Sequence, residues 1–380
     1  MSSAPSAGSD PDPVPDPVPA SPSPRGARGT LLTASSFCAI ALAAVFGIVH
    51  VPYVALSPGP VTDVIADPGD GPDARGLITI SGAQTYPTSG RLDLTTVSLR
   101  GGPGLEMTLG ELLVDWVDPQ VNVVPRELYF PPEQTREEAD DRSAAEMTSS
   151  QTNAKVAALT ELGIDVPATT TTRVEEVSAD VPAASVLRAG DVVTSVDGTP
   201  VADFAALQAA VRALPGDTEV EVGITRGGEP RTVRTRTVAR DGTTLLGLTP
   251  HVDYAFPFDI DIAIDDVGGP SAGTMFALGI VDQLTPGALT GGQHVAGTGA
   301  IAADGTVQQI GGLRQKVLGA RADGAAWFLA PRQECGQVAG ATPEGITVVP
   351  VTTLHEAVEA VGAIGRGEGA SLATCEAAAG

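Results

Sequence analysis

The chain has 380 residues, 42% hydrophobic and 18% charged, which is enough apolar material for two or three domains with packed cores. Its formal net charge of −24 sets nucleic acid aside as a partner, because phosphate repels such a surface. Lysine and arginine total 22, and lysine stands only at Lys155 and Lys316, leaving 22 − 2 = 20 arginines. A chain that meets its surface with arginine makes each lysine conspicuous, since arginine cannot be deprotonated to act as a base.

In chain order, residues 1–29 are rich in Pro, Ser and Asp and read as an extended, disordered tail. From Thr30 to Val51 runs "TLLTASSFCAIALAAVFGIVHV", with no formal charge and the length of a membrane-spanning helix. Arg25 and Arg28 precede it, and Asp63, Asp67, Asp70 and Asp73 follow. That asymmetry places the tail in the cytoplasm and everything after Pro52 outside the cell membrane, in a single pass. A cleaved signal peptide is the rival, but no small-x-small cleavage site follows, so an uncleaved anchor is the expectation. Cys38 falls inside this stretch, while Cys335 and Cys375 can pair as a disulfide outside the cytosol. The cysteine spacing carries no zinc signature, and no metal or other cofactor is expected.

"GLITIS" and "GRLDLTTVSL" alternate like strands, and residues 134–162 read as a long helix ended by Gly163, with Lys155 on its surface. Residues 166–242 read as a separate module. "TTRVEEV" is a strand, "DFAALQAAVRAL" an amphipathic helix, and "EVEVGITRGGEPRTVRTRTV" a hairpin turned at Gly227–Gly228. The signatures Pro182–Ala183, Ala189–Val193 and Val196–Val201 give this module a resemblance to bacterial PDZ domains. Such domains take a peptide as an added strand beside a long helix. The resemblance implies a groove between the strand carrying Thr172, Val174 and Val177 and the helix carrying Phe204, Leu207 and Val211.

Ser271 in "GGPSAGTMFAL" allows two chemistries. As G-x-S-x-G it is the nucleophile of a Ser-His-Asp esterase, which needs a continuous apolar strand before it. The preceding "FPFDIDIAIDD" instead alternates Asp259, Asp261 and Asp265 with Phe258, Ile260, Ile262 and Ile264, and neither His294 nor His355 has a supporting context. The second chemistry needs a lysine base. "IGGLRQKVLGARADG" reads as a helix whose apolar stripe is Leu313, Val317 and Ala320, and Lys316 falls on that face. A lysine snorkelling from the edge of a core helix is the alternative. Arg314 and Arg321 already serve the outer faces, which favours a lysine that faces in. Burial lowers an ammonium pKa toward the range a general base requires. Backbone groups at Gly269, Pro270 and Ala272, with the helix N-terminus, would frame the oxyanion.

"GGPSAG" followed by "GTGAIAADGTVQQIGGLRQKVLGA" resembles the proteolytic domain of Lon-type serine proteases, in a membrane-anchored, PDZ-containing subfamily. The resemblance implies Ser271 as nucleophile, Lys316 as base and Thr298 as the residue supporting the lysine. The family's acidic positions hold Gly268 and Ala300 here, so no third catalytic carboxylate is assigned. Too few residues separate the PDZ-like module from Ser271 to build such a domain. The missing part is expected upstream, with the PDZ inserted into a protease built from roughly 75–165 and 243–362.

The expected architecture is α+β: tail 1–29, membrane helix 30–51, an extracytoplasmic first protease segment 52–165, PDZ 166–242, catalytic segment 243–362 and a C-terminal tail 363–380. No G-x-x-x-x-G-K-[ST] occurs, so no ATP is expected as partner. The expected function is a Ser/Lys endopeptidase acting on flexible or membrane-tethered envelope proteins, with homo-oligomerisation through the Lon-like domain. A catalytically silent PDZ adaptor is the alternative, and a Ser-His-Asp esterase the third.

Overall fold

The computed structural model describes residues 36–37, 40, 42–66, 77–240, 242–264 and 267–378. The proline-rich residues 1–29 lie outside these, as does part of the apolar segment 30–51. Residues 42–48 form helix α1, and His50–Val51 form strand β1. Among the described residues no helix is long and apolar enough to cross a membrane. The helix expected to run through Val51 ends at Ile48. His50 and Val51 pair antiparallel with Met107–Thr108 (β5), and Pro52 biases the residue before it toward extended backbone.

One mixed sheet organises the catalytic half. Its order is β6 (Asn122–Pro125), β2 (Tyr53–Asp63), β4 (Arg91–Arg100), β16 (His294–Gly297), β19 (Trp327–Pro331), β20 (Thr347–Val351). Strands β4, β16, β19 and β20 run parallel, while β2 is antiparallel to β4 and β6. Side chains alternate across it with the period of two that a pleated strand imposes. Val295, Leu329, Val349 and Val351 face one core, and Ala296, Phe328, Ala330 and Val348 face another.

The first core is closed by α3 (Arg136–Glu161), α5 (Gly273–Leu284) and α7 (Leu354–Gly365), the second by α6 (Leu313–Ala322). Thr135 and Glu138 form a capping box that starts α3. Its buried face is built mostly of small residues, Ser150, Ala154, Ala157 and Ala158 among them, and packs against α5. Lys155, expected on the surface of α3, is half-buried, and burial lowers its pKa.

Segments before and after the PDZ-like module build this one domain. β3 (Ile78–Ser81) pairs with β15 (Asp259–Ile262), with Ile80 opposite Ile260. The amino-terminal part begins earlier than residue 75, because β2 is an interior strand of the sheet. Residues 363–378, within the segment expected as a tail, are anchored at a few buried points, Ala363, Ile364, Gly369 and Cys375. Gly369 lies against the Trp327 ring, and α8 (Cys375–Ala378) is tied by a Cys335–Cys375 disulfide with Cα atoms 4.8 Å apart.

The second unit is a sheet of order β11 (Glu229–Arg236), β10 (Glu219–Arg226), β8 (Val192–Val196), β7 (Ala168–Val177), β14 (Leu248–Tyr254), with β9 (Thr199–Pro200) paired to β8. Gly227 and Gly228, both at positive φ, make the two-residue turn between β10 and β11. Helix α4 (Phe204–Arg212), capped by Asp203, covers a core that includes Val174, Val193, Val222 and Leu246. β12 (Val238–Arg240) and β13 (Thr243–Leu245) form a separate hairpin, and β17 (Ala300–Ile301) and β18 (Val307–Gln308) another in the catalytic half.

Candidate active site

Ser271 occupies the turn before α5, whose first ten residues, Gly273 to Asp282, are buried. Long helix α3 holds that turn from below. The Gly269 amide donates to Ser143 O at 3.1 Å, and Ser150 Oγ donates to Pro270 O at 2.9 Å. Three further bonds fix the serine backbone from the loop after β16. Gly299 N and Thr298 Oγ donate to Ser271 O at 2.9 and 3.0 Å, and Thr274 N donates to Gly299 O at 3.0 Å. Gly299 is required at this crossing: a Cβ there would stand 2.6 Å from Thr274 Oγ1 at a φ of +154°.

Lys316 lies on the inner face of α6 with Leu313, Val317 and Ala320, and is 2% exposed. Gly312 begins that helix in the left-handed region, where a Cβ would meet Val97 Cγ1 at 2.7 Å. The Lys316 ammonium nitrogen donates to Thr298 Oγ1 at 3.0 Å. A chain of bonds thus runs from the amine through the threonine hydroxyl to the serine's own carbonyl. Burial pulls the lysine pKa from 10.5 down to about 7, against the opposing charge of Glu334. The Ser271 hydroxyl, half-buried, makes no hydrogen bond to the described residues.

The oxyanion frame differs from the expected set. Proline has no N–H, and the Gly269 amide is spent on Ser143. The amides of Ser271 and Ala272 donate to no acceptor among the described residues and stand at the N-terminus of α5. Those two are the donors available to a developing negative charge. Neither histidine attends the serine: His294 bonds Asp93 at 2.5 Å and His355 bonds Glu161 at 2.7 Å. Asp93, His294 and Asp323 approach closely enough to share an ion. However, Arg91 already binds Asp93 at 3.0 Å and Asp323 at 2.8 Å, so a guanidinium fills the cation's place.

Residues 262–362 match the Lon protease (S16) C-terminal proteolytic domain, and residues 160–237 match the PDZ domain. The chain carries a Lon proteolytic domain and a PDZ domain. The chain is 33% identical over 127 residues to Lon protease 1 of Bacillus subtilis (strain 168), covering 32% of this chain and 16% of that protein. It is 30% identical over 130 residues to the Lon protease of Buchnera aphidicola subsp. Schizaphis graminum, again covering 32% and 16%. The match therefore spans about a sixth of these relatives' length. A crystal structure of the PDZ domain of an SdrC-like protein from Listeria monocytogenes is 27% identical, covering 21% of this chain and 86% of that one, with a TM-score of 0.20.

Two features of the Lon domain were not visible in its sequence pattern. Ser143 and Ser150, one helical face of α3, clamp the nucleophile turn. Glu334, 7% exposed, accepts from Ile310 N at 3.0 Å through one oxygen, while the other is buried without a partner. Burial raises its pKa against the opposing pull of the Ile310 amide and Lys316.

Strand β7 does not border the apolar groove of the PDZ-like unit. Strand β7, which carries Thr172, Val174 and Val177, is bonded on both sides, to β8 and β14, and has no edge to offer. Val174 is core, 2% exposed. The apolar groove instead runs between α4, through Phe204, Leu207 and Val211, and the segment Thr243–Leu248. Among the described residues β13 pairs only with β12, and its residues Thr243 to Leu245 line the groove.

Proposed function

We propose that the chain is an ATP-independent serine endopeptidase in which Lys316 activates Ser271. The supporting observation is the buried, uncharged-leaning amine bonded to Thr298, whose hydroxyl is in turn bonded to the Ser271 carbonyl. In this reading the neutral Lys316 amine takes the Ser271 hydroxyl proton as Oγ attacks the scissile carbonyl carbon. The amides of Ser271 and Ala272 receive the oxyanion. The protonated lysine then delivers its proton to the leaving amine, and a water, deprotonated by the lysine in its turn, cleaves the acyl-enzyme.

The apolar, uncharged segment 30–51, flanked by Arg25 and Arg28, anchors the chain in the cytoplasmic membrane, with the catalytic and PDZ domains outside. Cys335–Cys375 pairing supports that compartment. The groove between α4 and Thr243–Leu248 presents flexible or membrane-tethered protein segments by strand addition. Hydrolysis of casein and of unstructured peptides by the full chain, beside Ser271→Ala and Lys316→Ala, tests the assignment. Cleavage lost in both variants supports the dyad. Undiminished cleavage in both removes it, and an inactive parent chain that still binds peptide leaves the adaptor function.

A further inference from the structure

Helix α2 (Leu109–Val117) reverses the usual polarity of a surface helix. Leu112 and Asp115 turn inward, and the buried Asp115 carboxylate is bound by Arg100. Outward face Leu113, Val114, Trp116 and Val117, which are 46%, 68%, 69% and 81% exposed. A buried acid beneath four exposed large apolar side chains is the informative combination, because none of the described residues covers them. Trp116 overhangs the outer strand of the sheet, lining a hollow with Tyr53, Val121, Asn122 and Val123.

What covers this face is indicated by the chain that leads to it. The apolar segment 30–51 ends in α1 and β1, and these pack directly against the start of α2, although residues 52–108 lie between them in the chain. His50 pairs with Thr108, the Leu109 amide donates to Val49 O at 2.8 Å, and a Cβ on Gly110 would stand 3.0 Å from Phe46 O. The exposed Val45, Ile48 and Val49 continue the apolar surface of α2 back toward that segment. Glu106, Glu111 and Asp118 are exposed on or beside the helix, so an anionic headgroup would be repelled.

We infer that the Leu113–Val117 face of α2 lies in the interface of a neutral-headgroup bilayer, as a second, shallow membrane contact beside the segment 30–51. Trp is suited to that depth, with an apolar ring and an N–H that can face the headgroups. The contact also bears on the dyad. Gln315, the neighbour of Lys316, reaches Gln120 O in the turn after α2 at 3.4 Å, so the membrane-facing element touches the lysine helix. This inference rests on the membrane anchoring proposed above.

Trp116 and Trp327 are the chain's two tryptophans, so Trp327→Phe leaves Trp116 as sole reporter. The full-length variant is reconstituted in phosphatidylcholine vesicles, with and without brominated acyl chains, and its flotation and peptide hydrolysis are followed in the same samples. The expected result is a blue-shifted Trp116 emission that is lost in brominated vesicles and unaffected by salt. Flotation with Trp116 open to acrylamide but untouched by brominated lipid puts α2 in water, overturning the inference while the anchor stands. Shielding from both quenchers puts a second copy of the chain on this face, which also overturns it. Failure to float removes the anchor and the inference together, and hydrolysis then reports on the dyad independently.

Discussion

The Lys316 amine and the Thr298 hydroxyl lie 3.0 Å apart in a fully buried setting, and the same hydroxyl donates to the Ser271 carbonyl. Thr298 therefore sets both where the Lys316 amine points and where the Ser271 backbone sits. Thr298→Val removes the acceptor and the donor while keeping the shape. The expected loss is roughly ten- to a hundredfold in kcat, the worth of a hydrogen bond to a charged group. KM stays unchanged, since the hydroxyl is fully buried and committed to Lys316 and the Ser271 carbonyl, and Thr298→Ser restores most of the rate. A Thr298→Ser variant as slow as Thr298→Val would show that the methyl's packing, and not the hydroxyl, is what matters.

The lysine gives activity and stability a pH dependence of the same sign, both rising with pH. As the proposed general base it must be neutral, so kcat/KM is expected to rise as pH passes about 7 and to level off above it. Because the folded pKa is pulled down from 10.5 to about 7, the unfolded chain binds more protons between those values, and this group's contribution to stability rises with pH across that window. Below it, the buried charge costs a few kcal/mol, at about 1.4 kcal/mol per pKa unit. Lys316→Met abolishes hydrolysis yet raises the melting temperature at pH 6 to 7, with the gain shrinking toward pH 10. Denaturant melts of both proteins across that range provide the measurement, and a variant destabilised at pH 6 contradicts it.

Glu334 opposes the lysine's downward shift by favouring its charged form. Glu334→Gln keeps the acceptor for the Ile310 amide and removes the charge. The acid limb of the pH–rate profile accordingly moves to lower pH, with the plateau rate little changed. A limb that stays in place would mean that the carboxyl is already protonated in the working enzyme.

The inward face of Lys316 was legible because periodicity carries it: Leu313, Val317 and Ala320 define the inner face of α6, and all three are fully buried there with Lys316. Strand β2 was not, because "YVALSPGPVTD" has two prolines and a glycine that read as loop. The sheet accommodates them in a bulge, where the pairing of β2 with β4 slips between Pro58 and Val61. Glu334 reads as an exposed charge in "PRQECGQ". Its burial depends on the loop after β19 and on Cys375 reaching back to Cys335, relations that local sequence does not contain. The strand pairing behind the groove was not legible for the same kind of reason. The strand character of "TTRVEEV" is local, but whether a strand has a free edge is set by β14, whose residues lie far along the chain.

That topology yields a discriminating test of the groove. An added peptide strand needs an unpaired edge, which β7 lacks and β13 has. Phe204 lines the groove from α4 and is only partly buried, so Phe204→Asp places a charge there without emptying the core. Thr172→Asp, on the doubly paired strand, puts a carboxylate of the same kind at the originally expected position. Fluorescence anisotropy with a labelled unstructured peptide should show at least tenfold weaker binding for Phe204→Asp, about 1.4 kcal/mol or more. Binding by Thr172→Asp should match the parent. Both variants should hydrolyse a short chromogenic peptide at the parent rate, because Ser271 precedes α5 and Lys316 lies on α6, in the other unit. Weaker binding by Thr172→Asp with Phe204→Asp unaffected would return the groove to β7.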